Sequence, residues 1–332
     1  MSKKALIFGI TGQDGSYLLE YLLFLGYSVT GIVRPNSSMA RTRIDKHQNN
    51  PRVSLLYGDI LDAQRVESLI REVNPDEIYN LAAMSHVAIS YQNPTLTLEA
   101  NAKHVITVLD TIKNFNNDIR FYQACTSEMF GSTTPPQNIS SRLFPLSPYA
   151  ASKVFSFDMC NIYKQSYDLR IVCGVLFNHE SHRRTSNFVT KKIIDEAIKI
   201  KKKNNSKIHL GNITSTRDWG WAPEYVVAMH YSLQRHATEN FVLGTGISTS
   251  VKTFAEKAFK LLDLSFDDHY IQDSRYFRPA EVENLCADIT EIQEKWNWKP
   301  KCDWNFVLEN MLESELNQSE KPVDWGALVI SN

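Results

Sequence analysis

Cysteine is scarce in this 332-residue sequence, and no two of its five cysteines form a C-x-x-C pair. They are Cys125, Cys160, Cys173, Cys286 and Cys302. This pattern argues against a zinc ribbon, a dithiol redox motif and the disulfide framework of a secreted protein. Long apolar runs are also missing near the start, where Ala5–Phe8 is too short for a signal peptide or a membrane span. The protein is therefore expected to be cytoplasmic, with free thiols.

An excess of charge of either sign is also missing, since 36 Lys and Arg face 37 Asp and Glu and the formal net charge is −1. No global positive field exists to attract nucleic acid or an anionic membrane, and neither is expected as a partner. The basic run Lys199–Lys203 is interpreted as a solvated helix end without a function. An anionic ligand must then be held by a few local cations, which indicates a small-molecule site.

Apolar runs that predict strands alternate with segments of helical periodicity in the first half of the chain. The predicted strands are Lys3–Phe8, Tyr27–Val33, Val53–Tyr57, Glu77–Leu81, Arg120–Ala124 and Ile171–Leu176. The predicted helices are Ser16–Leu25, Ala63–Val73, Leu98–Lys113 and Tyr149–Tyr167. This alternation indicates an α/β fold with a Rossmann-type, doubly wound parallel sheet covered on both faces.

A glycine motif directly follows the first predicted strand and opens the first predicted helix: Gly9-Ile-Thr-Gly12-Gln-Asp-Gly15. In this context, backbone N–H groups and the helix N-terminus can bind the pyrophosphate of a dinucleotide. The predicted cofactor contacts here are Gly9, Thr11, Gly12, Gln13, Asp14 and Gly15. An ordinary tight turn is the alternative, and the preceding strand disfavours it.

The second strand ends at Arg34, without the Asp or Glu that would bind the ribose 2′-hydroxyl of NAD. An arginine there favours a 2′-phosphate, so NADP is the expected cofactor. Asp59 and Ile60 follow the third strand, where they could contact the adenine. Asp59 could equally cap the next helix, and both interpretations stay open.

The pattern of strands and helices loosens after residue 176, where short strands mix with aromatic, Arg-rich loops. We predict an NADP-binding Rossmann domain over residues 1–175, rejoined by about residues 220–245. Residues 176–332 are predicted to form mainly a smaller, interleaved substrate-binding domain that closes a cleft against the first.

Tyr149 and Lys153 are four residues apart in a predicted helix, so they share one face. The ammonium is expected to lower the pKa of the phenol and make a tyrosinate available as a base. Such pairs also occur as plain surface neighbours. Together with the glycine motif, however, this pair resembles the short-chain dehydrogenase/reductase superfamily in its extended, nucleotide-sugar-modifying form.

Thr126, Ser127 and Glu128 place hydroxyls and a carboxylate just beyond a predicted strand and facing Tyr149. Glu128 could simply start a helix. In the superfamily that the sequence resembles, dehydratases have this carboxylate and epimerases lack it.

Longer strings resemble the GDP-mannose 4,6-dehydratase family over roughly residues 4 to 305. They are the glycine motif extended to Tyr17, Leu176-Phe-Asn-His-Glu-Ser181 with Arg183-Arg184, Arg217-Asp-Trp-Gly220, and Arg275-Tyr-Phe-Arg278-Pro-Ala-Glu281-Val282. The resemblance implies that Asn178, Lys192, Arg217, Arg278 and Glu281 hold a GDP-linked sugar, together with Ser127 and Glu128. It also implies cofactor contacts from His179, Arg184 and the loop of Leu81, Ala82, Ala83 and Ser85, with Ser85 near the sugar too.

The resemblance implies a 4,6-dehydration. Tyr149 takes the proton from the sugar O4 while hydride leaves C4 for NADP⁺, and Thr126 hydrogen-bonds the same oxygen. Glu128 removes the C5 proton as the C6 hydroxyl leaves as water, and hydride then returns to C6. Whether Glu128 is both base and acid stays open, because Ser127 stands where some dehydratases have a second acid.

Three segments depart from the family pattern: Pro35, Trp221 and Glu99–Ile106. The substrate is expected to be GDP-mannose, with a GDP-heptose or a GDP-N-acetylhexosamine as alternatives. A nucleotide-sugar 4-epimerase and a non-catalytic NADP-binding regulator are the rival functions. The first would not depend on Glu128, and the second would require a vestigial catalytic set.

Two further expectations concern metals and assembly. His179 and His182 could be metal ligands, but no nearby Cys or carboxylate completes a plausible ligand set, so no metal is expected. In the resembled family a loop after the second strand, here Asn36–Ile44 with Arg43, reaches toward the cofactor of a neighbouring subunit. A homodimer or homotetramer is therefore expected.

Overall fold

The computed structural model of the protein describes residues 2–34, 42–203, 206–235 and 238–330. The strands are β1 Lys4–Phe8, β2 Ser28–Val33, β3 Val53–Tyr57, β4 Glu77–Asn80, β5 Arg120–Thr126, β6 Ile171–Leu176, β7 Asn178–Glu180, β8 Ile208–Leu210, β9 Thr216–Trp221, β10 Phe241–Leu243, β11 Ser248–Ser250 and β12 Tyr270–Gln272. The helices are α1 Gln13–Phe24, α2 Ala63–Val73, α3 Val87–Gln92, α4 Pro94–Leu98, α5 His104–Phe115, α6 Pro148–Tyr167, α7 Val189–Lys203, α8 Ala222–Arg235, α9 Val251–Lys260, α10 Phe266–His269, α11 Thr290–Trp296, α12 Trp304–Asn317 and α13 Trp325–Leu328.

The main sheet has the strand order β10-β6-β5-β4-β1-β2-β3 and its strands pair in parallel. Hydrophobic clusters fill the space between the sheet and the helices on each of its faces. The predicted doubly wound α/β fold is thus confirmed. The chain reverses its direction of travel across the sheet between β1 and β4, and ligands of such sheets bind at the carboxyl ends of the strands near that point.

A third hydrophobic cluster lies among α7, α9, α12 and the short strands that follow β6. Trp219 and Phe254 are in its centre, with ring centroids 5.2 Å apart. Helix α8 packs instead on α1 against the main sheet, through residues such as Val226 and Met229. The precise domain boundaries at residues 175 and 220–245 stay predictions.

The predicted helix Leu98–Lys113 is interrupted. A π-helical turn, Glu99–Lys103, separates α4 from α5. Asn101 in this turn is buried and bonds the backbone of Met84 through both side-chain atoms, Oδ1 accepting from N at 2.8 Å and Nδ2 donating to O at 3.2 Å. Its Nδ2 also donates to Ser152 Oγ in α6 at 3.0 Å. Periodicity predicts the helix but not the extra residue that turns Asn101 toward these partners.

In the segments that the structure describes, no helix is both long and apolar enough to cross a membrane. The five cysteines are free thiols, and three of them are buried.

A buried histidine should make the fold sensitive to acid. His104 Nε2 donates to Asn80 Oδ1 at 3.2 Å, and burial, aided by the charge of Lys153, lowers the pKa of His104 to about 3. The unfolded chain takes up a proton below a pH of about 6.5, whereas the folded chain does not. Stability should therefore fall by about 1.4 kcal/mol per pH unit from this group as pH decreases from about 6.5 toward the folded pKa.

Urea unfolding at several pH values between neutral and mildly acidic checks this prediction. His104→Gln is the matched variant, because its amide nitrogen can replace Nε2 while it has no titrating group. The variant should lose less stability than the wild type over the same pH interval. Equal losses would show that His104 does not carry the effect.

Candidate active site

The glycine turn after β1 forms a backbone cradle at the start of α1. Gly9 has φ +88°, and a Cβ there would lie 2.8 Å from the backbone nitrogen of Ala82. A Cβ on Gly15 would overlap the carbonyl oxygen of Gly9. Side chains are thus excluded from both positions, and the free N–H groups of the helix start remain available for a pyrophosphate.

An ion pair joins this cradle to β7. His179 Nδ1 donates to the carbonyl oxygen of Phe177 and Nε2 donates to Asp14 Oδ2, both at 2.8 Å. Burial opposes charge on both groups, but their mutual attraction and hydrogen bond are stronger, so the pKa of Asp14 is lowered and that of His179 is raised. Because both ring nitrogens face acceptors, the ring is an imidazolium. Sequence reasoning assigned both residues to the cofactor but missed their contact with each other.

Helix α6 positions the predicted Tyr–Lys pair. Ser147 Oγ accepts from Ala150 N at 3.1 Å and Pro148 occupies the first turn, which are typical features of a helix start. Lys153 is 3% exposed, and its Nζ donates to the carbonyl oxygen of Ala124 at 2.8 Å. Burial lowers the pKa of this ammonium.

The expected lowering of the pKa of Tyr149 is wrong for this structure. Burial raises the pKa of the phenol above its usual range, a hydrogen bond with Thr126 opposes the increase, and the negative charge of Glu128 adds to it. The sequence showed the spacing of Tyr149 and Lys153 but not the loss of solvent around the phenol, which dominates here.

Thr126 and Glu128 lie where β5 ends. Thr126 caps the 3-10 turn Ser127–Met129, because its Oγ1 accepts from Glu128 N at 3.3 Å. The Glu128 side chain is nearly buried, and its Oε1 lies 3.8 Å from Arg217 Nε and 3.8 Å from Arg278 Nη1. A short turn therefore presents this carboxylate to the cleft beside two cations.

Two of the predicted substrate residues have a buried polar atom without a hydrogen-bond partner among the residues that the structure describes. Within the described residues, Asn178 Oδ1 and Arg278 Nη1 are buried without a hydrogen bond. Glu281 Oε1 accepts from Arg278 N at 3.0 Å. Lys192 Nζ donates to His209 O at 2.6 Å and lies 3.4 Å from the centre of the Tyr276 ring. Tyr276 is a half-exposed aromatic face in the same cleft, and sequence reasoning missed it.

The structure brings all the predicted site residues into one cleft of about 1090 Å³. They are Gly9, Thr11, Gly12, Gln13, Asp14, Gly15, Arg34, Asp59, Ile60, Leu81, Ala82, Ala83, Ser85, Thr126, Ser127, Glu128, Tyr149, Lys153, Asn178, His179, Arg184, Lys192, Arg217, Arg278 and Glu281. Their individual roles stay predictions. Asp59 does not cap α2, since the cap is Asp62, which accepts from Arg65 N at 3.0 Å.

Comparison with known proteins identifies the family. The family model for GDP-mannose 4,6 dehydratase matches residues 6–311. GDP-mannose 4,6 dehydratase 1 of Arabidopsis thaliana is 42% identical over 96% of this chain and 91% of that protein. GDP-mannose 4,6 dehydratase of Drosophila melanogaster is 39% identical over 96% of this chain and 87% of that protein. The chain belongs to the GDP-mannose 4,6-dehydratase family.

Solved structures agree on the fold of this dehydratase-family chain. The dTDP-glucose 4,6-dehydratase DesIV of Streptomyces venezuelae, with NAD bound, superposes with a TM-score of 0.84 at 21% identity and covers 95% of this chain and 98% of that one. At this identity, the similarity concerns the fold alone.

Of the departures from the dehydratase family pattern, Trp221 and Glu99–Ile106 lie within the described residues. Trp221 packs against Phe306 of α12 with ring centroids 5.2 Å apart. Pro35 and residues 36–41 of the expected subunit-bridging loop lie outside the described residues. Arg43, at the end of that loop, donates to Thr11 O at 3.0 Å and to Arg183 O at 2.9 Å within its own chain. A contact with a neighbouring subunit stays a prediction.

The two histidines considered as metal ligands have separate partners. His179 pairs with Asp14, and His182 Nε2 lies 3.1 Å from Glu320 Oε2. In the part of the chain that the structure describes, no group of three His, Cys, Asp or Glu side chains could hold a metal ion.

Proposed function

We propose that this protein is an NADP-dependent GDP-mannose 4,6-dehydratase that forms GDP-4-keto-6-deoxymannose and water. The observation that carries this proposal is the position of Glu128, whose carboxylate lies in one cleft with Thr126, Tyr149 and Lys153. A 4-epimerase needs the last three residues but not the carboxylate. Membership of the dehydratase family supports the same choice.

The glycine cradle and the end of β2 suit a dinucleotide. A nicotinamide cofactor, when bound, supplies the hydride acceptor for C4 and the hydride donor for C6. Gly9 and Gly15 leave the backbone open to the pyrophosphate, and Arg34, just after β2, lines the same cleft. An arginine at the end of the second strand suits a 2′-phosphate. Arg34 is the reason for proposing NADP rather than NAD.

The residues at the end of β5 and the start of α6 transfer the O4 and C5 protons of the sugar. Tyr149 accepts the proton of the sugar O4, and Thr126, with which its phenol hydrogen-bonds, orients the same oxygen. The resulting 4-keto group acidifies the C5 proton, which Glu128 removes while the C6–oxygen bond breaks. Glu128 then protonates the departing hydroxyl, because its neighbour Ser127 has no carboxyl group to do so. When C6 is reduced, C5 takes up one proton from solvent, and Tyr149 releases to solvent the proton that it took from O4.

The cations beside Glu128 suit the diphosphate of the substrate. Arg217 Nε and Arg278 Nη1 both lie 3.8 Å from Glu128 Oε1, and this Nη1 has no hydrogen bond within the described part of the chain. Guanidinium groups bind phosphates through paired hydrogen bonds. A bound diphosphate would compete with Glu128 for these cations, so that the substrate itself frees the base.

Mass spectrometry of GDP-mannose incubated with the protein tests the proposal, with NADP⁺ and NAD⁺ in parallel reactions. The expected result is the loss of one water, faster with NADP⁺. An Arg34→Ser variant should lose that preference while still releasing water. Water loss only from a GDP-heptose or a GDP-N-acetylhexosamine would identify that sugar, rather than GDP-mannose, as the substrate. An unchanged mass with inverted C4 would support an epimerase.

The assembly and the cellular location are also proposals. We infer a homodimer or homotetramer from the family resemblance of the loop at residues 36–44, and light scattering measures it directly. A cytoplasmic location is supported by five free thiols, which are typical of a reducing compartment.

A further inference from the structure

Residues 179–188, which we call the strap, run from β7 to the start of α7 along the wall of the cleft. His179, Glu180, Arg184, Ser186, Asn187 and Phe188 of the strap all line the cleft. The same cleft contains the glycine cradle after β1 and the loop after β4.

The first end of the strap is bonded to the start of α1. His179 forms its ion pair with Asp14 at 2.8 Å, and its carbonyl oxygen accepts from Gln13 Nε2 at 3.0 Å. Ser181 Oγ donates to Gln13 Oε1 at 2.8 Å. Arg183 adds a hydrogen bond to Ser16 Oγ at 2.9 Å. Several short, partly charged bonds therefore fix this end.

The second end of the strap is held by His86, which follows β4. Its Nε2 donates to the carbonyl oxygen of Asn187 at 3.2 Å, and its ring packs on Phe188 with centroids 6.0 Å apart. The guanidinium of Arg184 stacks on the same Phe188 ring at 3.5 Å. His86 Nδ1 meanwhile accepts from Ile89 N at 3.3 Å and caps α3. The ring is thus neutral and uses its two nitrogens for two different tasks.

The anchors of the strap follow β1 and β4, which are neighbours in the main sheet. A dinucleotide in a doubly wound sheet binds across the carboxyl ends of these strands. We propose that His86 is a positioning residue that holds the strap closed over the bound cofactor and so prevents its release during turnover. This inference rests on the proposed function, since a 4,6-dehydratase must return to C6 the hydride that it took from C4.

The two ends of the strap differ in strength. Across the cleft, the first end has an ion pair and at least three hydrogen bonds, whereas the second has the neutral hydrogen bond and the ring contact of His86. Ser186 Oγ also donates to Asp195 Oδ2 at 2.6 Å, but Asp195 belongs to α7, the helix that continues from the strap. A neutral hydrogen bond contributes about 0.5–1.5 kcal/mol net, and bonds to charged groups contribute about twice that. The His86 end should therefore open first and set the rate at which the cofactor leaves.

Two substitutions separate the two tasks of His86. In His86→Asn the side-chain oxygen can replace Nδ1 and keep the cap of α3, but the side chain is too short to reach Asn187. In His86→Gln the amide nitrogen can replace Nε2 and keep the bond to Asn187 O, while the cap is lost. Asn187→Ala is a further control, because the acceptor is a backbone carbonyl and the side chain accepts a bond from Thr185 inside the strap rather than one from His86.

The primary measurement is the rate at which preloaded NADPH is displaced, followed by its fluorescence. We expect release to be about tenfold faster in His86→Asn and within about twofold of the wild type in His86→Gln and Asn187→Ala. The second readout is free NADPH formed per GDP-mannose consumed. It should rise only in His86→Asn, where oxidation at C4 leaves a 4-keto sugar, NADPH and a proton. Thermal unfolding verifies the fold of each variant.

The possible outcomes are distinct. Unchanged release in His86→Asn would overturn the proposal, because the bond to Asn187 would then not retain the cofactor. Equal acceleration in His86→Asn and His86→Gln would also overturn it, since no rescue by the longer amide would exist. The wild type could release no water from GDP-mannose while the displacement rates still differed as expected. That result would support the role of His86 in retaining the cofactor and would exclude GDP-mannose as the substrate.

Discussion

Replacing Glu128 by glutamine should stop the release of water while leaving the oxidation at C4 in place. Glutamine keeps the size of the side chain but cannot take up the C5 proton, and the loss of a general base costs about 10²–10⁴-fold in rate. Mass spectrometry should find unreacted or 4-keto sugar without loss of water. The near-ultraviolet absorbance of the reduced nicotinamide should rise on mixing and persist.

A second carboxyl group in the same cleft provides the control. Glu281 accepts a hydrogen bond from the backbone of Arg278 and is not expected to move a proton of the sugar. Glu281→Gln should therefore keep water release and mainly raise KM. Full dehydration by Glu128→Gln would show that another group removes the C5 proton, and the proposed mechanism would be wrong.

Tyr149→Phe should abolish both oxidation at C4 and release of water. Without the phenolic oxygen no group accepts the O4 proton, and we expect kcat to fall by about 10³-fold or more. In the wild type, the rate of the first step should rise with pH across the alkaline range, because burial raises the pKa of the phenol and the ionised form is the base. Stopped-flow absorbance measures that step.

Tyr163→Phe is the matched control on the same helix. Its hydroxyl donates to Asp110 Oδ1 at 2.7 Å, away from the cleft residues. The kcat of the Tyr163→Phe variant should remain close to that of the wild type. If Tyr149→Phe retained wild-type kcat, the phenol would not be the base for C4 oxidation.

Much of the fold could be predicted because its strands and helices follow from local sequence patterns. The strands of the main sheet are apolar runs, and the predicted bounds of β3, α2 and β6 equal those in the structure. The glycine motif and Thr126–Glu128 were found because they lie at the carboxyl ends of β1 and β5, which the parallel sheet brings to one edge. The residues expected to hold the GDP-linked sugar were predicted from the family resemblance.

Other features depend on contacts between distant parts of the chain. Asp14 and His179 are 165 positions apart, and neither motif shows that they form a pair. His86 was missed because a single histidine after a strand has no recognisable spacing, and its partner Asn187 acts through the backbone. The raised pKa of Tyr149 results from burial by the whole fold, which the spacing of Tyr149 and Lys153 does not reveal.

The π-helical turn at Glu99–Lys103 limits how this region can change in length. A π turn accommodates one residue more than an α turn. Deleting a residue from it would restore regular winding and remove the bulge that turns Asn101 toward its partners. Asn101 could then no longer bond Met84 and Ser152 together. Through Asn101, the irregular turn thus links the loop after β4 to helix α6. Variants of this chain should therefore tolerate substitutions in the turn better than single-residue deletions.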